Sequence, residues 1–258
     1  MWQKLNVGQW LTSRPPLIAL SGAGGKTSCL WYLANTFACL NKSVLATTTT
    51  RMFYPKSSEV SQCWIESEHK LCARLTQDSQ PGITFAASAM SSHPDKVAGV
   101  TPMWLEAIVQ QGRFDLILVE ADGSRGLPLK APASHEPVIP VSTKTQLIMT
   151  GAECLLTPLD PRQIHRWPHF EKITNAKSGE LIDHKMITRL FAHPQGMLQG
   201  SPALSRKIWF INKADRGDHK ALQQLGETVL TQTPQLDEVW LGQLNSSPSI
   251  IRIIKERL

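Results

Sequence analysis

The sequence predicts an α/β fold built on a doubly wound, mostly parallel β-sheet. Short apolar runs recur along the chain at residues 17–20, 43–47, 83–86, 116–119, 147–149, 208–211 and 238–241. Most are apolar throughout rather than alternating, as in strands that are buried on both faces of a parallel sheet. The segments between them are long enough to hold crossover helices, which would cover both faces of that sheet.

The first predicted helix follows the first strand closely, over residues 27–40. Leu30, Leu33 and Phe37 recur there at the three-to-four-residue spacing of a buried helix face. A glycine-rich stretch separates this helix from the apolar run at 17–20, so the order is strand, tight turn, helix.

Two segments interrupt this rhythm within what we expect to be a single domain spanning 1–258. Residues 126–140 contain Pro128, Pro132, Pro137 and Pro140, which exclude a regular helix and predict a stiff surface loop. Residues 158–205 hold two helical patterns, one that begins at Pro161 and one over 178–191, which together predict a helical insertion.

Composition narrows the functional classes. Of 258 residues, 41% are hydrophobic and 19% are charged, as in ordinary globular proteins. No apolar run approaches the roughly 18 residues of a membrane span, and the first residues lack a secretory apolar core, so we expect a cytoplasmic protein without a membrane partner. The five cysteines include no CxxC pair, which argues against a zinc ribbon. The net charge of +6 is scattered rather than clustered, which argues against a nucleic-acid partner.

The turn after the first strand has the composition of a phosphate-binding loop. Its residues are Gly22, Ala23, Gly24, Gly25, Lys26, Thr27 and Ser28. Glycines allow backbone N–H groups to turn inward onto an anion, the lysine reaches the outer phosphates, and the threonine hydroxyl suits Mg²⁺. The sequence therefore predicts that this loop, a P-loop or Walker A motif, binds GTP or ATP together with Mg²⁺.

The loop departs from the full-length pattern. Leu20 stands where that pattern has its first glycine, and the shorter form resembles the loop of Mur-type ligases. The loop also resembles that of the metallochaperone and ParA-like group, with Ser21 in place of their signature lysine. The alternative is a glycine-rich turn that merely precedes a helix.

Acidic residues follow the apolar run at 116–119. Glu120 and Asp122 would lie at the carboxyl end of a strand beside the phosphate loop, where a carboxylate can hold Mg²⁺ or position the attacking water. We assign the metal first to Asp122 and the water to Glu120, and the alternation of side chains leaves the reverse open. The alternative is a pair of carboxylates that cap an Asp-Gly turn.

A base-recognition motif follows the run at 208–211. Asn212, Lys213 and Asp215 match the Asn-Lys-x-Asp pattern of GTPases, in which the aspartate accepts hydrogen bonds from the N1–H and amine of guanine. The motif favours GTP over ATP and leaves ATP open. The same residues also suit an ordinary strand-to-helix turn with polar caps.

Further candidates lie at the same predicted edge of the sheet. Thr49 and Arg51 follow the second strand and could meet a γ-phosphate or an anionic substrate. Arg125 could stabilise charge during phosphoryl transfer, and Lys130 could hold a substrate or form part of a switch. Solvated loop charges and a β-favouring threonine run are the alternatives.

Taken together, the motifs resemble those of the YqeC family. The resemblance covers essentially the whole chain, through residues 21–28, 47–51, 119–126 with 129–130, and 212–215. It implies an accessory role in maturing a selenium-dependent molybdenum hydroxylase, with that enzyme or its cofactor-maturation proteins as partners.

Three activities remain open at this point. The first is an Mg²⁺-dependent NTPase that uses GTP in preference to ATP. The second is a phosphoryl or nucleotidyl transferase, or a ligase-like enzyme, acting on a small acceptor. The third is a scaffold that is regulated by a nucleotide but hydrolyses little of it.

Overall fold

The computed structural model describes residues 17–75, 80–245 and 250–255. Its strands, in chain order, are β1 (Leu17–Gly22), β2 (Ser43–Thr48), β3 (Met52–Phe53), β4 (Gln62–Ile65), β5 (Gly82–Ala87), β6 (Ala89–Met90), β7 (Lys96–Ala98), β8 (Leu116–Glu120), β9 (Leu129–Lys130), β10 (Thr145–Gly151), β11 (Ile164–His165), β12 (Arg206–Asn212), β13 (Glu238–Gly242) and β14 (Ile250–Lys255). The helices are α1 (Lys26–Ala38), α2 (Glu68–Leu75), α3 (Pro102–Gln111), α4 (Trp167–Thr174), α5 (His184–Ala192) and α6 (His219–Gln232).

Nine strands form one central sheet in the order β14-β13-β12-β10-β1-β8-β2-β5-β4. All neighbouring strands run parallel except β13 and β14, which are antiparallel. The strand β1 lies in the middle, with β10, β12, β13 and β14 on one side and β8, β2, β5 and β4 on the other. The predicted doubly wound, mostly parallel α/β fold is confirmed.

Helices cover both faces of the sheet, as the uninterrupted apolar runs predict. Ile18 and Leu20 of β1 pack in a cluster with the buried side of α1, whereas Leu17 and Ala19 pack on the other face with α3. Every residue of β1, β2, β8 and β10 is buried. Adjacent residues of one strand thus face two separate cores, which explains why these strands carry apolar side chains at successive positions.

Helix boundaries in residues 158–205 differ from the sequence prediction. The stretch at Pro161 forms only a 3-10 turn, Pro161–Gln163, because Arg166 adopts a left-handed conformation and α4 begins after it. The second helix begins at His184 rather than at residue 178, since the Asp183 carboxylate caps it by accepting from the Met186 N–H.

The proline-rich segment 126–140 also differs from a simple surface loop. Its residues Leu129 and Lys130 form β9, which pairs with β11 from the helical segment, and both side chains are fully buried. The backbone C=O groups of Leu127 and Pro128 accept from Gly24 and Gly151. This segment therefore packs directly against the end of β1. Within the described part of the chain, no helix has the length and apolarity needed to cross a membrane.

Candidate nucleotide site

The glycine-rich turn between β1 and α1 requires its glycines. Gly22, Gly24 and Gly25 have φ angles of 89°, 79° and 126°, which side chains rarely allow. A Cβ atom at Gly22 or Gly24 would also collide with the backbone of Met149 or Gly151, at the end of β10. The turn is thus held in one shape by its own geometry and by a neighbouring strand.

The backbone N–H groups of this turn divide into two sets. Those of Ala23 and Gly24 donate to the C=O groups of Met149, at 2.9 Å, and Leu127, at 3.0 Å. Those of Lys26, Thr27 and Ser28 lie in the first turn of α1, where no intrahelical acceptor exists. These free donors and the positive end of the helix dipole make the start of α1 suited to an anion.

Lys26 lies folded back over the loop. Its ammonium donates to Gly22 O at 2.6 Å and to Ser124 Oγ at 3.1 Å, and it forms an ion pair with Asp122 Oδ1 at 3.2 Å. Its side chain is 3% exposed. The sequence prediction placed Lys26 and Asp122 in this site and missed Ser124, whose position two residues beyond Asp122 was the available signal.

The threonine hydroxyl of the loop contacts the glutamate rather than the aspartate. Thr27 Oγ1 donates to Glu120 Oε2 at 2.7 Å, and Glu120 is the last residue of β8, next to β1. Burial raises the pKa of Glu120, and the opposing effects of Lys26 and of the Thr27 hydrogen bond do not cancel it. A divalent cation would stabilise the charged form of such a buried carboxylate.

Asp122 is surrounded by cations instead. Besides the ion pair with Lys26, its Oδ2 atom lies 3.0 Å from Lys130 Nζ and accepts from the Gly22 N–H at 3.0 Å. Lys130 also donates to Gly123 O and to Glu136 Oε2, both at 2.8 Å. Lys130 is only 1% exposed, so its ammonium is enclosed by these protein groups.

A row of ion pairs continues from Lys130 through Glu136 to Arg166, which lies in the helical segment. Glu136 Oε1 accepts from Arg166 Nη2 at 2.9 Å, just before α4. Burial raises the pKa of Glu136, but the hydrogen bonds from Arg166 and Lys130 together lower it to about 2. Burial, followed by the charges of Lys130 and Arg166, lowers the pKa of the neighbouring His165 to about 4.

The remaining phosphate-side candidates occupy different positions. Thr49 donates its hydroxyl to Val138 O at 2.7 Å, so it fixes the segment that follows β2. Arg51 and Arg125 are exposed, and neither forms an ion pair within the described residues. Lys96, which the sequence analysis missed, is close enough to lower the pKa of Glu120 and lies 4.4 Å from the centre of the Phe53 ring.

The base-recognition motif reaches the phosphate loop through one side chain. Asn212 Nδ2 donates to Gly24 O at 2.8 Å, and Asn212 Oδ1 accepts from the Leu244 N–H at 3.3 Å. Lys213 pairs with Glu153, while Asp215 is exposed in the turn that follows. The sequence analysis missed Glu153 and Leu244, which lie in other segments of the chain.

A cleft joins the two halves of this site. It is lined by residues from the phosphate loop, the base motif and the end of β13, namely Gly25, Ser28, Asn212, Lys213, Asp215, Arg216, Gln243, Leu244 and Asn245. The structure thus brings Asp215 to the same cleft as the start of α1.

Comparison with known proteins gives the family. Residues 18–168 match the model of the YqeC protein family, a range that contains the phosphate loop and both acidic residues and ends before Asn212. The YqeC protein of Escherichia coli (strain K12) is 36% identical over 239 residues, which cover 93% of this chain and 91% of that protein.

Two solved structures are also similar to this chain, at low sequence identity. The hydrogenase maturation factor HypB from Archaeoglobus fulgidus has a TM-score of 0.41 and 10% identity, over 90% of this chain and 83% of that chain. FtsY from Mycoplasma mycoides has a TM-score of 0.33 and 12% identity, over 91% of this chain and 53% of that chain. The family model and the E. coli relative together establish that the chain belongs to the YqeC family.

Proposed function

We propose that this chain is an Mg²⁺-dependent nucleoside triphosphatase that prefers GTP. The observation that carries the proposal is the cluster at the start of α1, where Thr27 is hydrogen-bonded to Glu120 at 2.7 Å beside Lys26 and the free N–H groups of the helix. Hydroxyl, carboxylate, lysine and N–H donors are the groups that phosphoryl transfer requires at one place.

The residues present fit a magnesium ion. Mg²⁺ prefers oxygen ligands and takes only one or two from the protein, the rest coming from phosphates and water. The Thr27 hydroxyl and the buried Glu120 carboxylate supply such oxygens, so we reverse the first sequence assignment and give Glu120, rather than Asp122, to the metal. When bound, the ion would neutralise charge on the phosphate oxygens.

The chain's own groups would bind the phosphates and stabilise the charge that develops during transfer. The N–H groups at the start of α1 would bind the phosphates, and Lys26 would leave Asp122 to pair with the outermost ones. Arg125, exposed three residues after Asp122, is the candidate for stabilising the charge that develops during transfer.

Guanine recognition is supported by the base cleft. Asp215 is exposed at this cleft, where its carboxylate could accept two hydrogen bonds from guanine. Asn212 would hold the cleft at a fixed distance from the phosphate loop through its bond to Gly24. ATP in place of GTP is the alternative.

A second function, transfer to an anionic acceptor, is favoured by three cations: Arg51 after β2, Arg125 after β8, and Lys96 at the start of β7. Arg51 and Arg125 have no ion-pair partner among the described residues, and Lys96 lies close to Glu120. Cations in such positions could hold a small anionic acceptor next to the transferred phosphoryl group. The accessory role in maturing a molybdenum hydroxylase rests on the family resemblance alone.

Phosphate release and base preference test the proposal together. We expect the protein to release phosphate from GTP only when Mg²⁺ is present, and to prefer GTP to ATP at least tenfold in kcat/KM. Asp215→Asn should shift the preference from GTP toward XTP, because an amide can donate to the xanthine oxygen where the carboxylate accepted from guanine.

The outcomes separate the alternatives. Equal kcat/KM values for GTP and ATP would refute guanine recognition but not the proposed triphosphatase activity. Tight, Mg²⁺-dependent binding without phosphate release, either alone or with small anionic acceptors, would refute the enzymatic proposal.

A further inference from the structure

Asp122 is a buried carboxylate with two buried lysines. Its side chain is 1% exposed, and those of Lys26 and Lys130 are 3% and 1% exposed. Each lysine takes a different oxygen, since Lys26 pairs with Oδ1 at 3.2 Å and Lys130 with Oδ2 at 3.0 Å. One carboxylate needs only one counterion, and Lys130, which also pairs with Glu136, places a second cation beside Asp122.

The two lysines are held in different ways. Lys130 donates hydrogen bonds to Gly123 O and to Glu136 Oε2, both at 2.8 Å, and forms an ion pair with Asp122 Oδ2 at 3.0 Å. The backbone of Lys130 is also fixed, because β9 pairs with β11 and Lys130 lies opposite His165 in that pairing. The place of Lys130 beside Asp122 therefore depends on Glu136 and β9 and not on Lys26.

Lys26 forms an ion pair with the other carboxylate oxygen of Asp122, besides its hydrogen bonds to Gly22 O and Ser124 Oγ. The Oδ1 atom of Asp122 accepts no hydrogen bond from any described residue, so only the charge attraction with Lys26 acts on it. To reach a phosphate, Lys26 must give up this ion pair. If Lys26 were the sole partner, its departure would leave a buried carboxylate unpaired, which is strongly unfavourable.

We infer that Lys130 is a positioning residue for phosphate binding, which keeps Asp122 paired while Lys26 moves to the phosphates. The inference rests on the proposed nucleotide site and adds a role for a residue that never touches the nucleotide. Asp122 remains bonded to the Gly22 N–H at 3.0 Å throughout, so the beginning of the loop keeps its shape. The exchange of partners then costs little, and the nucleotide retains most of the lysine's contribution.

Lys130→Met tests this inference, with GDP measured in EDTA so that no metal contributes. We expect the affinity for GDP to fall at least tenfold, because Asp122 then retains Lys26. Binding of guanosine, which has no phosphate, should stay within twofold of wild type. The exposed Lys220 on α6 gives the matched control Lys220→Met, which should change neither affinity.

A double variant distinguishes positioning from a merely structural role. In Asp122→Asn combined with Lys130→Met, no buried carboxylate competes for Lys26, and the asparagine oxygen can still accept from Gly22. We expect this variant to regain GDP affinity to within threefold of wild type.

The contrary outcomes are separable. An unchanged GDP affinity in Lys130→Met would overturn the inference. Loss of both GDP and guanosine binding that the double variant does not rescue would also overturn it, by showing general damage to the fold. Failure of the wild-type protein to bind GDP would refute the proposed function itself.

Discussion

The side-chain amide of Asn212 joins the end of β12 to the phosphate loop, and Asn212→Ala measures what this link contributes. Asn212 is 3% exposed. The substitution removes its donation to Gly24 O at 2.8 Å and its acceptance from the Leu244 N–H at 3.3 Å. It also removes the amide against which Gly25 packs.

The expected cost follows from these contacts. Each lost hydrogen bond is worth about 1 kcal/mol, and a buried acceptor left unpaired adds a further 1 kcal/mol or more. Gly24 O is the buried group that loses its partner, whereas the half-buried Leu244 can regain water. We therefore expect the free energy of unfolding to fall by about 2–3 kcal/mol, which for a domain of this size lowers Tm by roughly 5–10 °C.

Urea denaturation provides the measurement, with the change read from the midpoint at constant m-value. The matched control is Asn245→Ala, an exposed asparagine at the same cleft, which should change stability by no more than about 0.5 kcal/mol. GDP binding by Asn212→Ala should weaken at least tenfold, since the loop loses its anchor. Equal stability of the two alanine variants would refute the idea that Asn212 fixes the loop.

Four other predictions concern the metal, the loop and pH. Glu120→Gln should weaken the binding of GTP with Mg²⁺ at least tenfold while leaving GDP binding in EDTA within threefold, and calorimetric titration that shows equal losses would contradict the metal assignment. In the wild type, the benefit from Mg²⁺ should fall as pH drops toward the raised pKa of Glu120, because protonation removes the carboxylate charge. Gly24→Ala should destabilise the fold and abolish nucleotide binding, since its φ of 79° and the nearby Gly151 backbone exclude a Cβ, and wild-type melting and titration curves would disprove this. Between pH 6.5 and about 4, the unfolded chain takes up a proton at His165, whereas the folded protein does not. The free energy of unfolding should therefore fall as the pH is lowered through this range, by about 1–2 kcal/mol after allowance for solvent screening. His165→Gln should flatten this slope in urea titrations at several pH values.

Local sequence patterns were sufficient to predict the strand, the glycine turn and the helix that form the proposed phosphate site. The strand, the glycine turn and α1 are neighbours in the chain, so an apolar run, three glycines and a helical spacing define them together. Glu120 and Asn212 were also predictable, because parallel strands bring their carboxyl ends to one edge of the sheet.

The acidic assignment shows where local patterns end. Strand alternation puts Glu120 and Asp122 on one face, but β8 ends at Glu120. Beyond that residue the backbone turns, and Asp122 meets Lys26 and Lys130 rather than Thr27. Which carboxylate contacts the hydroxyl therefore depends on packing between distant segments.

The burial of Lys130 is the clearest feature that the sequence did not predict. Four prolines around it are typical of an exposed loop, yet long-range pairing between β9 and β11 buries this lysine completely. Its partners Asp122 and Glu136 lie on either side of it in the chain, and Arg166 comes from the helical segment. No local periodicity reports contacts of that kind.

The central claim is that the turn from Gly22 to Thr27 binds nucleotide phosphates through Lys26. Titration of GTP with Mg²⁺ into the wild-type protein and Lys26→Ala tests it most directly. Loss of a charge-assisted contact worth about 3 kcal/mol corresponds to about a hundredfold in affinity, so we expect tight binding by the wild type and a loss of at least that size in the variant. Equal affinities, in a variant whose melting curve matches the wild type, would contradict the claim.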